Sequence, residues 1–401
     1  MNFILISLIK AAIVAAVLLT TLAYLQWIER KVIAHIQLRV GPYRVGWHGL
    51  LQPLADVIKL VTKEGFIPSH VNLFFYMLAP FIAVTLALIS IAVIPFGPEI
   101  KIGNVTTYMQ LTDLHIGVLF VLGISSVGVY GIALAGWASN NKYSLLGGLR
   151  SSAQMISYEL PLALAVVAPL LLVNTLSFRE MVVRQSGFTW GWLPQWTIFQ
   201  GPAPQIFGFL VFMCAAFAET NRVPFDLPEA ENELVAGFHT EYSSMKFASF
   251  FMAEYCNMIT VTCVATLLFL GGWTPPFPAP WSNWVPVAVF ALAGLVALYF
   301  GINPVRAKDR RSLPIAGILF LGIAGLFAVS YMVPVVQTIL ISVFWFGAKV
   351  GFLLFVFIWV RGTLPRFRYD QLMRFAWTAL FPLAMLNLLV TAFLVAFLSK
   401  S

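Results

Sequence analysis

Charge is what this chain most lacks. Of 401 residues only 10% are Asp, Glu, Lys or Arg, and mean hydropathy is +0.89. Soluble domains run nearer a quarter charged, so a water-soluble fold cannot hide this much apolar surface. Cysteine is scarce too: Cys214, Cys256 and Cys263 lie in apolar runs with no CxxC pair. They read as buried thiols, not cluster ligands. The five histidines, His35, His48, His70, His115 and His239, show no ligand spacing, so no metal is expected. GxGxxG after a strand, a Walker sequence and GxSxG are also missing, which removes nucleotide binding and hydrolytic nucleophiles of those types.

Apolar runs of about 20 residues without two-residue alternation are what the chain does have, and they read as membrane helices. In lipid every backbone polar group must be paired internally, which leaves helices or a closed barrel. The expected fold is therefore all-α and polytopic. Ten spans can be drawn, near 5–28, 72–95, 114–138, 155–174, 205–220, 247–270, 284–301, 314–335, 338–360 and 376–398. The first is too long for a signal-peptide core and has no small-residue cleavage site, so it reads as a retained helix.

The net charge of +8 reflects orientation, not nucleic acid. Alternate connecting segments hold 18 of the 24 basic residues, among them Arg30, Arg39, Lys59, Arg222, Arg361, Arg366 and Arg368. By the positive-inside rule that side is cytoplasmic, which places both termini outside in a bacterial inner membrane. On the poor side Trp190, Trp192 and Trp196, and Trp273, Trp281 and Trp284, read as an interfacial belt. The four prolines of the Trp273–Trp281 stretch (WTPPFPAPW) exclude a helix there.

Residues 43–66 form a cytoplasmic segment with a surface helix. Leu50, Leu51, Leu54, Ile58 and Val61 share one face, while Gln52, Asp56, Lys59 and Lys63 share another. An anchor with a solvated face and the wall of a lipid-entered site fit this pattern equally well.

The acids are unevenly placed. Seven of the 16 fall in a short stretch: Glu219, Asp226, Glu229, Glu231, Glu233, Glu241 and Glu254. Asp226 and Glu229 have the spacing of a helix start, where early acids complement the dipole. Glu229 and Glu233 would share a helix face and repel, so the 219–246 loop should titrate cooperatively and exchange protons near neutral pH. Glu159, Glu219 and Glu254 lie in or beside apolar spans, where a charge costs roughly 2.5–3.5 kcal/mol and usually has a task. Glu159 precedes Pro161, which interrupts the helix ladder. Lys349, inside the ninth span, could pair with an acid or snorkel outward.

Five blocks carry a wider likeness: Glu29–Pro42 (ERKVIAHIQLRVGP), Gln52–Glu64 (QPLADVIKLVTKE), Glu219–Tyr242 (ETNRVPFDLPEAENELVAGFHTEY), Phe251–Met258 (FMAEYCNM) and Trp359–Met373 (WVRGTLPRFRYDQLM). In these the chain resembles the H-subunit family of NADH–quinone oxidoreductase, respiratory complex I. The resemblance implies a heel component of the membrane arm that docks the hydrophilic arm, completes a quinone chamber with a lipid-side entrance, and passes coupling to pump subunits through carboxylates. Glu29, Arg30, Arg39, Asp56, Lys59, Arg222, Asp226 and Glu229 match the chamber and docking loops. Glu231, Glu233 and Glu241 belong to the same block, with the functional centre around Glu231. Arg361, Arg366, Arg368 and Asp370 match the last block, and Glu159, Glu219 and Glu254 the internal path.

The resemblance also implies that this chain alone binds no cofactor: quinone is a substrate, and flavin and iron–sulfur clusters belong to partner subunits. Partners are hydrophilic-arm and neighbouring membrane-arm subunits, quinone and lipid, with no nucleic acid. The chain is expected to be inactive when isolated. It departs from the family at 283–336, which reads as an inserted hairpin that most relatives lack and that has no assigned role. Two alternatives are the equivalent component of a membrane-bound hydrogenase-type complex and a free-standing transporter. The second lacks the inverted repeat or paired broken helices that transporters show.

Overall fold

The computed structural model describes residues 3–102, 105–199, 203–226, 235–302 and 309–398. Its long helices are α1 (Phe3–Ile36), α3 (Leu73–Ser90), α4 (Gly117–Ala138), α5 (Lys142–Val173), α8 (Ser244–Phe269), α9 (Trp281–Ile302), α10 (Asp309–Ser330), α11 (Pro334–Thr363) and α13 (Phe381–Leu398). Shorter ones are α2 (Gln52–Thr62), α6 (Phe178–Arg184), α7 (Ile206–Glu219) and α12 (Tyr369–Phe375), which a π turn over Ala376–Leu380 joins to α13. Among the described residues nine helical stretches are long and apolar enough to cross a membrane. The chain is an all-α polytopic membrane protein, and its only described strands form two short antiparallel ribbons, 99–102 with 105–108 and 188–189 with 193–194.

Several helices outrun the hydropathy signal. At 1.5 Å per residue the 34 residues of α1 reach about 51 Å, well past an apolar layer of about 30 Å, so its last turns carry Glu29 to His35 beyond lipid depth. Helix α5 starts 13 residues before the expected 155. The Asn141 side chain caps it by accepting from the Tyr143 amide at 2.9 Å, and Ser144, Gly147, Gly148, Ser151 and Ser152 are buried against protein instead of lipid. Hydropathy cannot see a helix whose buried face is small and polar.

The fifth expected span, near 205–220, needs correcting. Helix α7 has 14 residues, about 21 Å, too short to cross alone. Side chains tie both of its ends to neighbouring helices. Gln154 of α5 donates to the carbonyls of Ala218 and Phe225, each at 2.8 Å. At the other end Gln205 donates to Thr391 at 2.9 Å and accepts from Asn387 at 3.0 Å, both on α13.

Helices α9 and α10 lie in close mutual contact. A Cβ on Gly294 would lie 3.0 Å from the Gly317 carbonyl oxygen, and one on Gly317 would lie 2.9 Å from that of Gly294. Small residues at a membrane interface let backbones approach this closely. Gly294→Val should therefore separate the hairpin, costing about 1–3 kcal/mol, while Gly123→Ala, with open space around it, should be silent. Thermal unfolding of the purified complex checks both.

Candidate functional site

One end of the helix bundle carries the basic loops, and there four elements converge on Arg222. This residue follows α7, whose helix stops at Asn221 with a left-handed φ of 50°. Its Nη1 is 3.4 Å from Glu29 Oε1 on α1, its Nε is 2.8 Å from Glu254 Oε1 on α8, and its guanidinium lies 4.1 Å over the Tyr255 ring. Arg361, near the end of α11, pairs with the same Glu29 oxygen. The side chains of Arg222 and Glu29 are only 4% and 6% exposed, so each charge depends on its partners for solvation. A stacked, planar guanidinium suits this role better than an ammonium.

The surrounding loops are tied to this cluster. Arg366 Nη2 meets Asp226 Oδ2 at 2.9 Å, and the Phe367 amide donates to the Pro224 carbonyl at 3.1 Å. Arg30 Nη1 meets Asp56 Oδ2 at 2.7 Å while Gln52 donates to Asp56 Oδ1 at 2.7 Å, so the polar face of α2 turns toward α1. Its apolar Leu51, Leu54, Val57, Ile58 and Val61 remain exposed.

From Glu254 the ionisable groups continue toward the middle of the bundle. A cavity of about 90 Å³ lies between α3, α4, α5, α7 and α8, and both Glu254 and Glu219 line it together with Ser90, Ser125, Thr220, Asn221, Asn257 and Thr260. Glu219 is buried, and it interacts with Ser125 and with the charge of Glu159. Glu159, on α5, accepts from the Ser126 hydroxyl one residue along α4. Three carboxylates from three helices thus lie along one polar seam, with room for water between two of them.

Of the residues expected at the site, Glu29, Arg222, Glu254 and Arg361 form one cluster, Asp226 and Arg366 a second beside it, and Arg30 and Asp56 a third. Glu241 stands apart: its carboxylate accepts from Asn141 at 2.7 Å, and its carbonyl accepts from the Tyr76 hydroxyl at 2.7 Å. Next to it Tyr242 stacks on Tyr76 at 4.3 Å, and burial together with that neighbour pushes the Tyr242 hydroxyl up, keeping it neutral. Arg39, Lys59, Arg368 and Asp370 are exposed and lie outside these clusters; Arg39 bonds Gln37, and Arg368 pairs with Asp370 at 3.2 Å. Glu229, Glu231 and Glu233 fall outside the described residues. Among the described residues no group of three or more His, Cys, Asp or Glu could hold a metal ion.

Sequence reasoning did not find Ser125, Ser126, Gln154 or Tyr255, which are ordinary residues until the helices are assembled. Lys349 stood out, but neither role weighed for it is the one seen. Its ammonium donates to the carbonyls of Leu270, Gly272 and Thr274 at 2.6, 2.9 and 2.6 Å, and sits 4.1 Å over the Trp196 ring. The belt reading also needs correcting: Trp190 and Trp192 are exposed, but Trp196 and Trp273 are buried. Trp196 packs under a cation instead of at a lipid headgroup.

The family model described as NADH dehydrogenase matches residues 9–392. The NADH-quinone oxidoreductase H subunit designated 1 in Solibacter usitatus is 68% identical over 400 residues, covering 100% of this chain and 99% of the relative. This chain belongs to the H-subunit family of NADH-quinone oxidoreductase. The H subunit designated 2 in Koribacter versatilis is 48% identical and covers 98% of each chain; its counterpart in Geobacter metallireducens is 43% identical and covers 97% and 95%. Members of this family are components of a multi-subunit oxidoreductase complex.

Removing Arg222 would leave Glu29 with Arg361 alone and take from Glu254 the guanidinium it faces. Arg222→Met should lower the stability of the assembled complex by about 3–5 kcal/mol, whereas Arg368→Ala should stay within about 0.5 kcal/mol. Assembly yield and thermal unfolding of both variants decide the point.

Proposed function

We propose that this chain completes the quinone chamber of a proton-translocating NADH–quinone oxidoreductase and carries the first protonic link from that chamber into the membrane arm. Its basic end faces the cytoplasm and docks the hydrophilic arm, and both termini lie on the outer side of a bacterial inner membrane. Flavin and iron–sulfur clusters reside in partner subunits, so the quinone is this chain's only redox-active contact. The observation carrying this reading is the seam from Glu29 through Arg222 and Glu254 to the cavity shared with Glu219.

The chemistry follows from that geometry. Quinone reduction takes up two electrons and two protons: the electrons place negative charge on the headgroup until protons reach it, and a neighbouring group that yields a proton is left one charge more negative. Arg222 serves Glu29 and Glu254 together, and any shift of the guanidinium toward Glu29 raises the proton affinity of Glu254. A proton gained there can cross the hydrated cavity to Glu219 and reach Glu159 through the Ser125–Ser126 pair. The block 227–234, with Glu229, Glu231 and Glu233, supplies further proton-exchanging carboxylates at the chamber side. Neither the hydrogenase-type reading nor the transporter reading has an observation in its favour, since the relatives named above are quinone oxidoreductase subunits.

Glu219→Gln and Glu159→Gln keep side-chain volume and remove the titrating proton. In the intact complex reconstituted into vesicles, each should lower quinone-linked proton pumping at least several-fold while electron entry from NADH to a soluble acceptor persists. Wild-type pumping in both variants would sink the proposal.

A further inference from the structure

The inserted hairpin α9–α10 is held at both ends, and the two attachments lead to different parts of the molecule. Near the end opposite the basic loops it is fixed to α11. The Trp345 indole donates to the Ser282 carbonyl at 3.2 Å, and Phe290 and Phe327 each pack on Phe344 with centroids 5.9 Å apart. At the basic end its described contact is with a different part of the chain. Ser312, at the start of α10 and only 2% exposed, is hydrogen-bonded through Oγ to His48 Nε2 at 2.9 Å, 264 residues distant in sequence.

His48 sits in the turn that delivers the chain from α1 to α2. Gly46, His48 and Gly49 have φ of 70°, 50° and 81°, so three of four consecutive residues are left-handed. A Cβ at Gly49 would lie 2.4 Å from the Pro42 carbonyl oxygen. A conformation this costly for His48 persists only where neighbours impose it. Among its described neighbours are the Tyr43 ring, edge-on to the imidazole at 5.2 Å and itself 5.5 Å under the Lys31 ammonium of α1, and Ser312 of the hairpin. The far end of α2 is fixed separately, by Ser244 Oγ donating to the Leu60 and Lys63 carbonyls at 2.8 and 3.0 Å.

The hairpin therefore braces the start of α2, whose uncovered apolar face lies toward lipid. We propose that it sets the width of the lipid-side mouth between α1 and α2, and so governs how a long apolar quinone tail is held while the headgroup is in the chamber. This rests on the proposed quinone-chamber reading. Among the described residues the hairpin meets the turn through Ser312 and His48, so the brace acts on the tail. His48 and Ser312 are positioning residues. A rigid mouth pre-orders the tail; a loosened one makes binding pay more ordering entropy.

Ser312→Ala in the assembled complex tests this, with steady-state kinetics on a quinone of one or two isoprene units and on one of eight or more. The expected result is a KM about fivefold higher for the long-tailed quinone, the size of one lost hydrogen bond, with the short-tailed KM and kcat unchanged. Ser312→Thr should restore the wild-type value, and His48→Phe, which keeps the ring packing, should reproduce the split. Equal shifts for both quinones, or none, would overturn the brace. The two readings fail separately: unaltered pumping in Glu219→Gln and Glu159→Gln removes the reading of the site, while a missing tail-length split beside impaired pumping removes the brace alone.

Discussion

Arg222 is buried between two carboxylates, and its charge depends on both of them for solvation. Glu29 and Glu254 come from α1 and α8, helices far apart in sequence, and the loop carrying Arg222 begins at the end of the short helix α7. Stranding an unpaired charge in a low-dielectric interior costs several kcal/mol, so the three elements must arrive together or not at all. Much of the remaining architecture serves that meeting. Helix α7 ends early so that Arg222 can turn inward, Gln154 satisfies the carbonyls exposed by that early end, and Arg361 of α11 shares the charge of Glu29.

The same arrangement ties fold to chemistry. A bundle assembled from apolar contacts alone would close over its interior. Here a polar seam runs between α4, α5, α7 and α8, and its carboxylates, hydroxyls and amides line part of an otherwise apolar cavity. Stability and proton handling draw on the same side chains. Substitutions along the seam are for that reason not purely functional or purely structural, and thermal and pumping measurements belong together.

Hydropathy made most of the fold legible, because lipid leaves the backbone few options. The nine long helices and the short α2 follow the apolar runs and their spacing. It failed where burial against protein replaces burial against lipid: the polar-faced start of α5, the truncated α7, and the indoles of Trp196 and Trp273. The site was half legible. Carboxylates in apolar surroundings announce themselves, so Glu159, Glu219 and Glu254 were visible as residues out of place. Their partners were not, since Ser125, Ser126 and Tyr255 are commonplace in helices and acquire meaning only from packing. Arg39, Lys59, Arg368 and Asp370 carried the same family likeness as Arg222 yet lie in solvent-exposed positions, because motif membership does not encode direction.

Lys349 has a consequence of a different kind. Three main-chain oxygens gathered at the end of α8 are the coordination shell that an alkali cation would take. A free ion in such a ring would come and go with the salt of the surrounding medium, and the loop would tighten and slacken with it. An ammonium tethered to α11 has nowhere to go. The far terminus of the helix that carries Glu254 is thereby insulated from the ionic weather around it.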